Sequence, residues 1–68
     1  MLSIKEVKSQ KLEACLQFAP VKNFPKYRRV EFLKEAVAIV DYLAKFGEIS
    51  LGEYHHYQDR IADIRQTI

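Results

Sequence analysis

A single cysteine, Cys15, stands among the 68 residues, so no internal disulfide can form and no zinc site can be built on cysteines. Long apolar runs are missing too. The longest, Ala36-Val37-Ala38-Ile39-Val40, stops at Asp41, far short of the ~20 residues that span a bilayer. The opening residues, Met1-Leu2-Ser3-Ile4-Lys5-Glu6, lack the basic segment, apolar core and small-residue cleavage site of a secretory signal. With a lone free thiol besides, the expected compartment is the reducing cytoplasm. A phosphate loop, a nucleophile elbow and a dinucleotide fingerprint are also absent, so neither an enzyme nor a cofactor is expected.

What is present is the composition of a folded domain: 49% apolar and 29% charged residues, against the low hydrophobicity and high net charge of disordered chains. Residues 1–68 read as one helical domain. A chain of this length buries only about 60% of its unfolded surface, and a core so small is usually supplemented by disulfides, metal or association. With cysteine chemistry excluded, association is the expected supplement. The net charge of +2 conceals an asymmetry: residues 1–34 hold eight Lys or Arg against three acids, and residues 35–68 hold three against six. The halves are expected to attract, within or between chains.

Helix ends are marked by local signals. Ser3 with Glu6 makes a capping box, and Leu2 with Val7 has the spacing of a hydrophobic staple, which starts a first helix at about residue 3. Ile4, Val7, Ala14 and Phe18 form its apolar stripe, widened by Leu12, Cys15, Leu16 and Ala19, and it ends by Ala19, ahead of Pro20. Pro20-Val21-Lys22-Asn23-Phe24-Pro25 is the only proline-bearing stretch and reads as the connection, with Pro25 opening a second helix over about 25–46 that Gly47 stops. This helix carries two parallel seams. One is Val30, Leu33, Val37, Val40 and Ala44; the other is Phe32, Ala36, Ile39, Leu43 and Phe46, an arc wider than one neighbour requires.

A third helix, about 51–67, repeats the opening signals with Ser50 and Glu53 as capping box and Ile49 and Tyr54 at staple spacing. Its apolar positions Tyr54, Tyr57, Ile61, Ile64 and Ile68 alternate by three and four, facing a helix rather than a sheet. So short a turn makes helices two and three an antiparallel hairpin. The segment Leu43 to Ile61, through Gly47-Glu48-Ile49-Ser50-Leu51-Gly52-Glu53-Tyr54, is similar to the turn of the short C-terminal hairpin domains called SHOCT, a likeness over less than a third of the chain.

Three groups of residues bear on chemistry. Lys22, Lys26, Arg28 and Arg29 gather with Tyr27 at the start of the second helix, where cations oppose the helix dipole. With Lys5, Lys8 and Lys11 they form a possible phosphate-contacting face, although Glu53, Asp59 and Asp63 on the third helix would repel a nucleic acid. His55 and His56 share helix faces with Asp59, but adjacent histidines diverge by about 100°, so they are expected to be hydrogen-bonded surface groups and not a metal site. Cys15, on an apolar face, is expected to be buried and inert.

The expected fold is therefore all-α: three helices, the long second one central, with a C-terminal antiparallel helical hairpin, in a dimer. The expected function is a non-enzymatic protein–protein interaction module, a homodimer or an adaptor or inhibitor occupying a larger protein's surface. Its contact face would be Phe32, Ile39, Leu43, Phe46, Tyr54 and Tyr57. The alternative is a nucleic-acid-binding regulator contacting phosphates through Lys5, Lys8, Lys22, Lys26, Arg28 and Arg29. Protein is the expected partner, nucleic acid the second choice, and no membrane or metal is expected.

Overall fold

The computed structural model describes residues 3–68, and Leu2, half of the expected staple at the first helix, lies outside the described residues. Among the described residues there are three helices and no strand: α1 (Ile4–Phe18), α2 (Lys26–Lys45) and α3 (Leu51–Thr67). Every boundary falls within one residue of the position the capping signals give, because caps act within a single turn of the backbone. At α3 both halves of the capping box form: the Ser50 hydroxyl accepts from the Glu53 N–H at 3.1 Å, and the Ser50 N–H donates to Glu53 Oε1 at 3.0 Å. The Ser50 N–H first, and the Ser50 hydroxyl second, hold the Glu53 carboxyl below its ordinary pKa. At α1 the Ser3 hydroxyl accepts from the Glu6 N–H at 3.1 Å. Pro25 precedes α2 as its cap instead of being its first residue, and its carbonyl accepts from Arg28 at 3.0 Å and Arg29 at 3.2 Å.

The α2–α3 turn is a Schellman closure. The Glu48 N–H donates to the Leu43 carbonyl at 2.8 Å and the Gly47 N–H to that of Ala44 at 3.2 Å, while Gly47 takes φ +70°. A β-carbon on Gly47 would meet no atom within 4 Å, so space does not require glycine there; the left-handed backbone does. Gly52 differs, since it lies in the first turn of α3 without a positive φ, and its added β-carbon would meet only Ser50 Oγ at 3.9 Å. The same substitution should therefore have opposite signs. Gly47→Ala is expected to destabilise by about 1 kcal/mol, and Gly52→Ala to stabilise by roughly 0.5 kcal/mol by restricting the unfolded chain. Thermal melts of the two variants check this: a melting temperature that moves the same way in both would remove the conformational explanation.

α1 and α2 run in opposite directions along each other. Lys8 lies over the Tyr42 ring at 5.0 Å, Lys11 pairs with Glu35 at 2.8 Å, and Phe18 meets Phe32 with ring centroids 5.9 Å apart. α3 packs on both helices, reaching α1 through Arg60, whose guanidinium donates to Glu13 at 3.0 and 3.2 Å. The two ion pairs divide the charge asymmetry: Lys11–Glu35 joins basic half to acidic half, whereas Arg60–Glu13 runs the other way. The body measures 33 × 26 × 13 Å between Cα extremes, and its radius of gyration of 12.0 Å exceeds the roughly 11 Å of a compact chain this long. It is a flattened arrangement with a thin interior.

That interior corrects the seam assignments. From α1 and its end come Leu12, Cys15, Leu16 and Ala19; from α2 come Leu33, Ala36, Ile39, Val40 and Leu43; from α3 comes Ile61 alone. On α1 the residues expected to widen the face are thus the core, while the expected stripe of Ile4, Val7 and Phe18 is exposed and Ala14 half-buried. On α2 the core takes members of both seams, since a helix that packs on two neighbours turns the wedge between its seams inward. Phe32, Val37, Tyr54, Tyr57, Ile64 and Ile68 pack half-buried at the edges. No described side-chain polar atom is buried without a hydrogen bond.

Candidate interaction surface

The expected contact face does not stay together in the structure. Ile39 and Leu43, at 2% and 0% exposure, are consumed by the core of the single chain, so they offer nothing to a partner. Phe32 is half-buried in a triangle with Phe18 and Phe24, ring centroids 5.4 to 5.9 Å apart, which closes the end of the molecule around the 19–25 connection. Tyr54 and Tyr57 edge the α3 packing, both half-buried. Burial, with the nearby Glu13 charge second, raises the Tyr57 phenol above its ordinary pKa, so it remains neutral. Of the six, Phe46 alone is largely exposed, at 60%.

Three further apolar side chains are exposed toward the same end of the molecule as Phe46. Ile4 is 64% exposed, Val7 50% and Leu51 72%. Their common location follows from connectivity: α1 begins at the end where α2 finishes, and only five residues separate the end of α2 from the start of α3. Ile4, Val7, Lys8 and Tyr42 line a shallow groove of about 370 Å³ between α1 and α2, and Tyr42 continues into Phe46 with ring centroids 4.7 Å apart. On the far side of α2, Asp41, Ala44, Lys45, Ile49, Leu51 and Tyr54 line a second, of about 510 Å³. Lys8 and Lys45 lie over Tyr42 and Phe46 at 5.0 and 5.9 Å, at the outer reach of a cation–π contact.

Leu51 was legible in the sequence as an apolar residue ahead of the three-four register that begins at Tyr54. Val7 was not, because its staple spacing supplies a local reason for its presence. The exposed position of Ile4 and Val7 depends on how far α2 extends past them, which is a tertiary fact.

The basic residues are divided as well. Arg29 Nε donates to the Ala19 carbonyl at 2.9 Å and Nη2 to the Pro20 carbonyl at 3.4 Å. It thereby caps α1, whose last turn holds no basic residue of its own, and places a cation at a helix C-terminus where the dipole favours it. Lys22, Lys26 and Arg28 are exposed around the start of α2, with Tyr27 beside them at 67% exposure. Lys5 and Lys8 lie toward the opposite end of α1, roughly 20 Å from that group by the rise of the helix. Lys11, between them, is committed to Glu35; their hydrogen bond, then their mutual charge, raises the Lys11 pKa and lowers that of Glu35. The six expected phosphate contacts are thus two exposed cations at the start of α2 with Lys22 nearby, two far away, and one bound to backbone.

His55 and His56 are exposed on α3, and among the described residues no three His, Cys, Asp or Glu side chains gather as a metal site would require. Cys15 is 6% exposed; burial, then the Glu35 charge, raises its thiol pKa, which keeps it protonated and a poor nucleophile. No described helix is long and apolar enough to cross a membrane. The SHOCT likeness of the turn is not extended by any wider match: no known protein family, no curated protein and no solved structure matches the chain.

Proposed function

We propose that the protein is a non-enzymatic helical interaction module, built on an antiparallel α2–α3 hairpin, that acts as a homodimer or as an adaptor occupying the surface of a larger protein in the cytoplasm. The observation that carries this reading is the concentration of exposed apolar side chains, Ile4, Val7, Phe46 and Leu51, at one end of a chain with a thin core. A single exposed apolar residue is ordinary, whereas several gathered toward one end of so small a body support a contact surface there. Phe46 is retained from the expected face, with Tyr54 at its border; Ile39 and Leu43 are replaced by Val7 and Leu51.

A nucleic-acid-binding regulator is the competing reading, supported by Lys22, Lys26 and Arg28 but weakened by the use of Arg29 as a cap and of Lys11 as an ion-pair partner. Salt distinguishes the two. Light scattering across a dilution series at low and high salt, alongside titration with a DNA duplex, is expected to show protein association that survives added salt and negligible duplex binding. Duplex binding that falls steeply with salt and disappears in Arg28→Ala, with no protein self-association, would overturn the proposal.

A further inference from the structure

Few signals hold the chain in a hairpin at the α2–α3 turn. Gly47 supplies the left-handed residue at φ +70°, and the box between Ser50 and Glu53 starts the helix that follows. No proline lies beyond Pro25, so the chain from Lys26 to Thr67 contains no other strong obstacle to a continuous helix. The apolar positions also keep one phase across the turn. Ile39, Leu43 and Phe46 on α2 are followed five whole turns later by Tyr57, Ile61 and Ile64 on α3, so a straightened segment carries one apolar stripe along its length. A hairpin requires no such agreement, because its turn resets the phase.

α3 is also the helix most easily released. It gives the interior one buried side chain, Ile61, and it reaches α1 through the Arg60–Glu13 pair, whose side chains are 34% and 49% exposed. Straightening uncovers Ile61 and the α1–α2 interior on which it packs. The helix whose fit to that interior is shown is α3 itself. Resting on the interaction-module reading, we infer that the chain pairs with a second copy by exchanging α3: the 46–50 turn straightens, and each α3 packs on the α1–α2 pair of the other chain. Exchange keeps the contacts of Ile61 with the core and of Arg60 with Glu13, so the turn alone changes. It also carries Phe46, 60% exposed in the hairpin, into line with the rest of the stripe.

The test is sedimentation equilibrium of the full chain from low to high micromolar concentration, with circular dichroism to check that each variant keeps its helices. Gly47→Ala disfavours the turn and favours a helix through it, and is expected to lower the dimer dissociation constant at least tenfold below that of the wild type. Leu51→Pro acts in the opposite sense. Leu51 is the first residue of α3 and 72% exposed, and Ser50 before it is already extended at φ −75° and ψ 167°, so proline suits the hairpin but breaks a continuous helix. It is expected to leave a folded monomer. Exchange itself is read by native mass spectrometry of a mixture of Glu13→Arg and Arg60→Glu, each in the Gly47→Ala background. Within either chain like charges meet, whereas exchange between unlike chains sets opposite charges together at both contacts, so mixed dimers are expected to exceed the half that random pairing gives. Dimers that neither Gly47→Ala nor Leu51→Pro shifts, or that mix at random, overturn the exchange and leave a dimer through another surface standing. A wild type and a Gly47→Ala variant that both stay monomeric overturn it as well, and leave an adaptor of another protein.

Discussion

Leu43→Ala is expected to lower the melting temperature by more than about 10 °C at every protein concentration, because the side chain is fully buried within one chain. Truncating a buried leucine removes its transfer free energy and leaves a cavity, which together cost about 2–5 kcal/mol. A 68-residue domain has roughly 3–10 kcal/mol of total stability, so the loss is a large part of the whole. Leu43 also belongs to the stripe that the sequence alone offers to a partner, and the two locations have different consequences. A core leucine destabilises the monomer itself, whereas an interface leucine would weaken the dimer and cost thermal stability only at concentrations where the wild type is associated. Phe46→Ala is the control from the same stripe. Phe46 stacks on Tyr42 but is 60% exposed, so its removal should cost the monomer under about 1 kcal/mol. Equal thermal losses in the two variants would contradict this division between core and surface.

The contrast between Leu43 and Phe46 shows where sequence reading succeeds and where it stops. Ser3, Ser50, Glu53 and Gly47 act on backbone groups within one turn, so the helix ends, the α2–α3 turn and the three-helix class are legible from the residues. The division of α2 into buried and exposed sides is not. Its seams, one through Leu33 and Val40 and the other through Ile39 and Leu43, are equally apolar along the chain, and only the positions of α1 and α3 decide that both are drawn inward. Phe46 stays outside since it follows the last helical residue of α2, where no neighbouring helix covers it. Arg29 is a similar case: nothing in its local sequence announces a bond to the Ala19 carbonyl ten residues earlier, which requires the 19–25 connection to fold back. The candidate surface follows the same logic. Val7 and Leu51 are distant in sequence, and the direction of each helix brings both to one end.

The interior is also unevenly supported, which leads to the second large effect. α3 contributes one buried side chain, Ile61, against five from α2 and three from α1 with Ala19 at its end. Its other attachments are half-buried aromatic and aliphatic edges and the Arg60–Glu13 pair, whose side chains are 34% and 49% exposed and hence screened by solvent. Elements with few buried contacts open at lower free energy than the rest of a domain. Ile61→Ala is accordingly expected to cost about 2–4 kcal/mol, with the loss concentrated in α3. Hydrogen exchange should show α3 amides after the first turn becoming at least tenfold less protected relative to those of α2 from Leu33 to Leu43. Ile64→Ala, at a half-buried position, should do less than half as much. If protection instead falls by the same factor in all three helices, the domain opens only as a whole, and α3 is held by its edges as firmly as α1 is held by its core. The distinction matters for the exposed end: Leu51 and Tyr54 belong to α3, so a helix that loosens first also reshapes the groove they line with Asp41, Ala44 and Lys45.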